Sequence, residues 1–289
     1  MLGYPAAAGP SAAAAALMPV EVKTPEEIEK MRAACRFAAS VLDFVRPHVQ
    51  AGVTTGELDH LCHEYIIGHG AYPAPLNYKG FPKSICTSVN EVTCHGVPGD
   101  RVLDEGDIIN IDVTTIVNGW FGDTSEMFTI GKISAAAQRL INTTREAMWL
   151  GIMEVAPEKT IGDIGAAIYE FAHRHHNYGV VEQFCGHGIG REMHMSPQVP
   201  HVGKRGAGMR LRPGMTFTIE PMLNEGTPHC EILGDKWTAV TRDRKLSAQT
   251  EHTVLVTEQG YEVLTLRESA WRPPELETLP PVVRSTDLR

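Results

Sequence analysis

The chain has 289 residues, with 26 Lys and Arg against 35 Asp and Glu (formal net charge −9) and 43% hydrophobic residues. That hydrophobic share is ordinary for a folded globule, and the length suits one large domain or two small ones. The acidic balance, the lack of a Lys/Arg block and the lack of a bilayer-length apolar run give nucleic-acid and membrane binding no support.

Residues 1–18 are almost all Ala, Gly and Pro and are expected to form a disordered arm. The arm has no basic leader, and Gly9-Pro10-Ser11 breaks its alanine run, which argues against a secretory signal. Order is expected from about Val20. Thr24-Pro25-Glu26-Glu27 supplies a capping residue, a proline at the first helical position and acids in the first turn. That helix continues through Met31, Cys35, Ala38, Leu42 and Phe44. Thr54 or Thr55 caps a second helix, with Leu58, Leu61, Cys62, Tyr65 and Ile66 as its apolar face. Tyr72 to Lys83 is rich in Pro and Gly and reads as a loop, and Ile85 to Val92 reads as a strand.

A hairpin is expected over 107–117 and 120–130, turning at Asn118-Gly119. Ser134 caps a long helix to about Val155, and Thr160 opens another to about His173. His173, His175 and His176 end that helix and read as exposed residues complementing its dipole rather than as metal ligands. Strands are expected at 215–223, 236–241 and 250–257. After Arg267 the chain turns Pro- and Glu-rich, and 268–289 reads as a surface tail. The order helix–helix–strands occurs twice. It implies one α+β domain over 19–267, built from halves of roughly 19–130 and 131–267, with a central antiparallel sheet and helices on one side. The six cysteines (Cys35, Cys62, Cys86, Cys94, Cys185, Cys230) form no C-x-x-C pair, so free thiols in a reducing cytoplasm are expected.

The chemistry starts in the hairpin. A two-residue loop sets Val117 opposite Trp120 and Thr114 opposite Asp123. Side chains alternate along a strand, so Asp112 shares the face of Thr114 and lies diagonal to Asp123, roughly 7–8 Å away. Two carboxylates on an apolar hairpin repel and cost desolvation unless a cation or proton offsets them. For this hairpin alone, two solvent-facing aspartates on an edge remain an equal alternative.

The second half repeats the device. Leu103-x-x-Gly106-x-x-x-x-Ile111-Asp112 returns as Leu211-x-x-Gly214-x-x-x-x-Ile219-Glu220. His95-Gly96-Val97 precedes the first copy and His187-Gly188-Ile189 the second, and a further acid follows each, Asp123 and Glu251. Two similar half-units with converging acids are implied. Asp112, Asp123, His187, Glu220 and Glu251 make a hard, oxygen-rich donor set suited to Mn²⁺, Fe²⁺, Co²⁺ or Zn²⁺. Five such groups suit two divalent ions with bridging carboxylates. Paired metals about 3.5–4 Å apart activate a bridging water and polarise a carbonyl, so hydrolysis of an amide or ester is expected. No G-x-S-x-G elbow, phosphate loop or dinucleotide glycine motif competes, and no base is indicated that would make Cys86 a nucleophile.

The series Asn90-Glu-Val-Thr-Cys94-His95-Gly-Val-Pro98, Asp112-x₁₀-Asp123-Thr-Ser, Gly186-His187-Gly-Ile-Gly-Arg191-x-x-His194, Ile219-Glu220-Pro221 and Gln249-Thr-Glu251-His252 resembles type I methionine aminopeptidase from about Val20 to Arg267. The resemblance implies the pita-bread fold with internal pseudo-two-fold symmetry, and co-translational removal of the initiator methionine ahead of a small second residue. It matches Asp112, Asp123, His187, Glu220 and Glu251 to the five metal ligands, and Glu220 also to a proton shuttle. It makes His95 and His194 histidines that contact the peptide and the tetrahedral intermediate. It lines the methionine pocket with Tyr78, Phe81, Cys86 and Trp237, a composition suited to a thioether. Asn90, Val92 and Ser247 match positions that hold a monovalent cation. Met193 stands where the family usually has an aromatic residue and Met195 where an acid or small polar residue is common, so the pocket wall stays apolar but softer. The arm lacks the Cys/His zinc-binding extension of eukaryotic cytosolic forms, which implies a bacterial or organelle-like short form. Implied partners are nascent peptide N-termini and the ribosome, with the enzyme a monomer. Two other readings are an X-Pro aminopeptidase or prolidase, disfavoured by the short arm, and an inactive pita-bread binding module, disfavoured because every ligand position is kept.

Overall fold

The structure, a computed structural model, describes residues 20–272 and, for the backbone alone, residues 282–284. The expected arm 1–18 lies outside the described residues, as do 273–281 and 285–289 of the expected tail. Pro25 in the first turn and a reciprocal capping box start α1 (Pro25–Val45): the Thr24 hydroxyl accepts from Glu27 N–H, and Glu27 accepts from Thr24 N–H. Thr54 and Glu57 repeat the device for α2 (Thr55–Gly68). The expected loop holds a two-residue strand, β1 (Tyr72–Pro73), and a 3₁₀ turn (Tyr78–Gly80). The single strand expected over 85–92 is two, β2 (Cys86–Val89) and β3 (Val92–Cys94), because Asn90 takes a left-handed backbone (φ 53°) that turns the chain.

The hairpin is β4 (Ile108–Val117) and β5 (Trp120–Thr129), with Val117 opposite Trp120 and Thr114 opposite Asp123, as the Asn118-Gly119 turn requires. Asn118 (φ 50°) and Gly119 (φ 79°) both have positive φ, the signature of the turn that matches strand twist. Met31, Ala34, Cys35 and Ala38 form part of the buried face of α1. At Gly122 of β5 an added Cβ would come within 2.4 Å of the Ala34 carbonyl oxygen, so glycine is what lets this helix lie against the hairpin.

Ser134 caps α3 (Ala135–Met153), and α4 (Ile161–Tyr169) runs on into a π-type turn (Glu170–His175) that leaves His173, His175 and His176 exposed. The remaining strands are short: β6 (Gly179–Val180), β7 (Gly186–Gly188), β8 (Met195–Val199), β9 (Thr216–Ile219), β10 (Met222–Asn224), β11 (Cys230–Ile232), β12 (Ala239–Thr241), β13 (Ser247–Gln249), β14 (His252–Val256), β15 (Gly260–Val263) and β16 (Val282–Arg284). The 215–223 run divides at Glu220-Pro221, where proline cannot donate to a ladder. Three-residue strands such as β11 and β13 carry too little alternation to be read from sequence.

Among the described residues every ladder is antiparallel, and the strands of the expected central sheet are distributed over four sheets. One is β1-β4-β2 with β5 on β4, and the largest is β16-β15-β14-β9-β7-β8. The last strand and the half-buried Trp271, packed against the core, tie parts of the 268–289 segment to the body. Two main cores result. One holds Leu42, Leu58, Ile66, Ile109 and Phe128; the other holds Leu140, Ile164, Phe217, Val254 and Tyr261. The repeated motif is placed equivalently in both halves: Gly106 (φ 97°) and Gly214 (φ 87°) make positive-φ turns, and Leu103, Leu211, Ile111 and Ile219 are buried.

The halves meet along a polar seam. Ser125 and Glu251 exchange backbone hydrogen bonds (3.4 and 3.2 Å), and the Thr124 and Thr253 hydroxyls donate to the Glu251 and Asp123 carbonyls. Asn110 Nδ2 donates to the Gln249 carbonyl (2.8 Å). The acids of the two halves are therefore fixed to each other through the main chain.

Candidate metal centre

At this seam lies a cavity of ≈ 350 Å³ whose wall includes Asp112, Asp123, His187, Glu220 and Glu251. Asp112 comes from β4, opposite Ser125, and Asp123 from β5, opposite Thr114. His187 sits in β7 at a register shift. Gly186 lets that strand approach β9, since a Cβ there would be 2.3 Å from the Thr218 carbonyl oxygen. Glu220 directly follows β9 and Glu251 directly precedes β14; the pairing Ile219–His252 sets these two acids across from each other. One ligand atom each from Asp123, His187 and Glu251 fall within 4.8 Å of one another. His187 Nε2 is 3.7 Å from Asp123 Oδ2 and 3.6 Å from Glu220 Oε1.

The tautomer of His187 follows from its partner. Nδ1 is 3.1 Å from the Gly188 carbonyl, which can only accept, so Nδ1 carries the proton and Nε2 presents its lone pair to the acids. Burial lowers the His187 pKa to about 4, which keeps the ring neutral and able to ligate. Burial drives the four carboxyl groups the other way. Asp112 rises to about 7 and Glu220 to about 8, and Asp123 and Glu251, which also repel their acidic neighbours, rise well above the ordinary range. No Lys or Arg among the described residues pairs with any of the four, and Asp112 Oδ1 is buried without a hydrogen-bond partner there. Three buried carboxyl groups, the half-buried Asp112 and a neutral imidazole nitrogen fit divalent cations: among the described residues the charge has no other counterpart, and the donors are the oxygen and nitrogen that such ions take.

A carboxyl group with a higher pKa folded than unfolded takes up protons on folding, so its contribution falls as pH rises from the ordinary range through the folded value. For Asp112 and Glu220 that window runs from about pH 4 to about 7 and 8. In chelator, the melting temperature should drop by roughly 5–10 °C between pH 5 and pH 8. Saturating Mn²⁺ should remove that drop. The same slope with and without metal, measured by circular dichroism, would show that these carboxylates do not carry the effect.

The residues expected to contact the substrate lie around the same cavity: His95, His194, Tyr78, Phe81, Cys86, Met193 and Trp237 all line it. His194 Nδ1 is 2.9 Å from the Tyr78 hydroxyl, and its ring stands 4.3 Å from that of His187. Burial, with His187 and His95 nearby, holds His194 well below its usual pKa. His95 has a positive φ (55°), packs edge-on against Phe184 and is likewise lowered by burial. Phe81 and Trp237 meet edge to face at 5.2 Å. The Cys86 thiol is pushed far up by burial and by Asp112, so it is no nucleophile at neutral pH. Met195, whose position departs from the family pattern, lines the cavity too.

Asn90 and Ser247 are joined through the main chain, since Ser247 N–H donates to the Asn90 carbonyl (2.9 Å), and Val92 lies two residues further on, opposite Val240. The Asn90 side chain is already engaged, donating to Asp107 and accepting from Ile108 N–H.

Several neighbouring side chains support the acids. Thr114 donates to Asp123 Oδ1 (2.8 Å), Thr218 to Glu220 Oε1 (2.6 Å) and Gln249 Nε2 to Glu220 Oε2 (3.2 Å). Thr218 and Gln249 precede Glu220 and Glu251 by two residues, so period-two alternation could have flagged them. His201 Nε2 accepts from Glu220 N–H (3.3 Å) across 19 positions, and no local pattern announces it. Gln183, Cys185 and Gln198 complete the polar part of the wall.

Comparison with known proteins agrees with this geometry. The pattern of metallopeptidase family M24 matches residues 29–258. Methionine aminopeptidase of Rickettsia prowazekii is 51% identical over 251 residues, covering 86% of this chain and 96% of the relative. Its crystal structure superposes with a TM-score of 0.85 over 86% of this chain and all of that one. Methionine aminopeptidase of Escherichia coli (strain K12) is 48% identical over 268 residues, 92% of this chain and 98% of the relative. An Xaa-Pro dipeptidase from Bacillus anthracis, 22% identical, matches with a TM-score of 0.70 over 86% of this chain and 63% of that one, a likeness of fold alone.

Proposed function

The chain belongs to metallopeptidase family M24 and, within it, to the methionine aminopeptidases, and from that premise we propose how its residues release an N-terminal methionine. The activity is metal-dependent hydrolysis of the peptide bond that follows the methionine. The observation that carries the mechanism is the meeting of Asp112, Asp123, His187, Glu220 and Glu251, from both halves, on one wall of a cavity also lined by Tyr78, Phe81, Met193 and Trp237. The five would hold two divalent ions of the Co, Mn, Fe or Zn class, which supply Lewis acidity toward the scissile carbonyl and lower the pKa of water.

The protein's own groups do the rest. The aromatic and methionine side chains take the thioether and exclude water from the scissile bond. With His194 neutral, a Tyr78 hydroxyl that donates to Nδ1 leaves Nε2–H directed at the carbonyl oxygen as it gains negative charge. His95 offers a second neutral imidazole to the peptide. Glu220, supported by Thr218 and Gln249, is placed to carry a proton to the departing amine. In this reading the substrates are nascent peptide N-termini with a small second residue, met at the ribosome, and the enzyme is cytoplasmic; no helix of the described residues is long and apolar enough to cross a membrane. Asn90, Val92 and Ser247 are assigned to a monovalent cation through their oxygens.

The test is turnover of Met-Ala-Ser and Met-Gly-Met after exhaustive chelation and again after stepwise return of Mn²⁺ or Co²⁺. Activity should fall to background and return with metal. Undiminished cleavage in chelator would reject the metal mechanism. Preference for an X-Pro peptide would move the chain to the prolidase-like branch of the fold.

A further inference from the structure

A second cavity, ≈ 20 Å³, lies on the other face of the strand that carries Glu251. Thr250 and His252, its two neighbours, line this small cavity, whereas Glu251 lines the large one, as alternation along an extended chain requires. Around it gathers positive charge. The Glu126 carboxylate is shared by Arg46 (2.6 Å), Arg267 and, more distantly, Arg145 (3.8 Å). Asp43 stands 3.4 Å from Arg267 as the other acid. Among the described residues, three guanidinium groups against two carboxylates leave one positive charge, and Arg272, bonded to the Arg267 carbonyl at 3.4 Å, adds another.

The hydrogen bonding is one-sided as well. Arg267 is 7% exposed, and its Nη1 has no hydrogen-bond partner among the described residues. Trp149 lines the same cavity, and its buried indole N–H has no partner among the described residues either. Both groups can only donate. Their common need is an acceptor, and the surplus charge favours one that is negative. The volume admits a single water-sized particle, for which about 10–15 Å³ is enough, and leaves no room for a tetrahedral oxyanion. Glu126 also lines the cavity and would repel an anion, but three guanidinium groups already draw on its charge.

We propose that this cavity is a binding site for a monatomic anion of the halide class, chloride in the cell, held by Arg267, Arg145 and the Trp149 indole N–H behind the Glu251 strand. Crystals of the full chain soaked in bromide should show anomalous density there. In solution, chloride at ten times its dissociation constant should raise the melting temperature by roughly 3–6 °C over gluconate at equal ionic strength. Trp149→Phe should keep the fold and lose most of that chloride-dependent rise. Arg145→Met, at a side chain 19% exposed, serves as a second variant should the first fail to fold. Bromide-soaked crystals with only water in the cavity, or a chloride response unchanged in whichever variant folds, would overturn the assignment.

Discussion

Replacing Glu251 by alanine is expected to lower kcat/KM for Met-Ala-Ser by at least about a thousandfold, the equivalent of about 4 kcal/mol of transition-state stabilisation. The side chain is buried, lies within 4.8 Å of ligand atoms of Asp123 and His187, and has no partner of opposite charge among the described residues. Its main chain bonds to Ser125 and Thr124, and an alanine keeps those contacts. The fold should therefore persist. The metal-free variant should melt no lower than the metal-free parent, because a buried carboxyl group repelled by Asp123, Glu220 and Asp112 is gone. Asp112→Ala should behave in the same way, with the buried Asp112 Oδ1 removed. Elemental analysis should find less bound metal in both. Wild-type turnover at wild-type metal content in either variant would reject the assignment of these acids as ligands.

How much of this could be read from the chain alone differs by element. The β4–β5 register was legible to the residue because Asn118-Gly119 specifies its turn and alternation then fixes every face. The helix starts at Pro25 and Thr55 were legible because capping is local chemistry. The convergence of Asp112 and Glu220 was legible through the repeated Leu-Gly-Ile-acid spacing, and that of Asp123 and Glu251 through the further acid that follows each copy. The division of the sheet was not, since it depends on where three-residue strands find partners, as in the pairing of β12 with β3. Nor was His201, whose contact with Glu220 is made by a fold-back of 19 residues, nor the arginine cluster at Glu126, whose partners lie 80 and 141 positions away. Local rules reach a few residues along the chain; these contacts are products of packing.

Converting His194 to alanine should separate metal binding from chemistry. The ring stands 4.3 Å from that of His187, close enough to face whatever His187 ligates, yet its own Nδ1 is taken by the Tyr78 hydroxyl. A residue that donates to the developing oxyanion contributes mainly in the transition state, so its loss should lower kcat by roughly 10²–10³-fold with little change in KM. Metal content should stay at the parental value, because no atom of His194 is assigned to an ion. Tyr78→Phe tests the same chain of contacts from outside: without the hydroxyl the imidazole loses the partner that fixes its tautomer, and kcat should fall with the ring still present. If His194→Ala instead sheds metal, the histidine is a ligand. If it raises KM alone, the side chain binds the peptide without acting on the intermediate, and the oxyanion must be met by His95, the other neutral imidazole on the same wall.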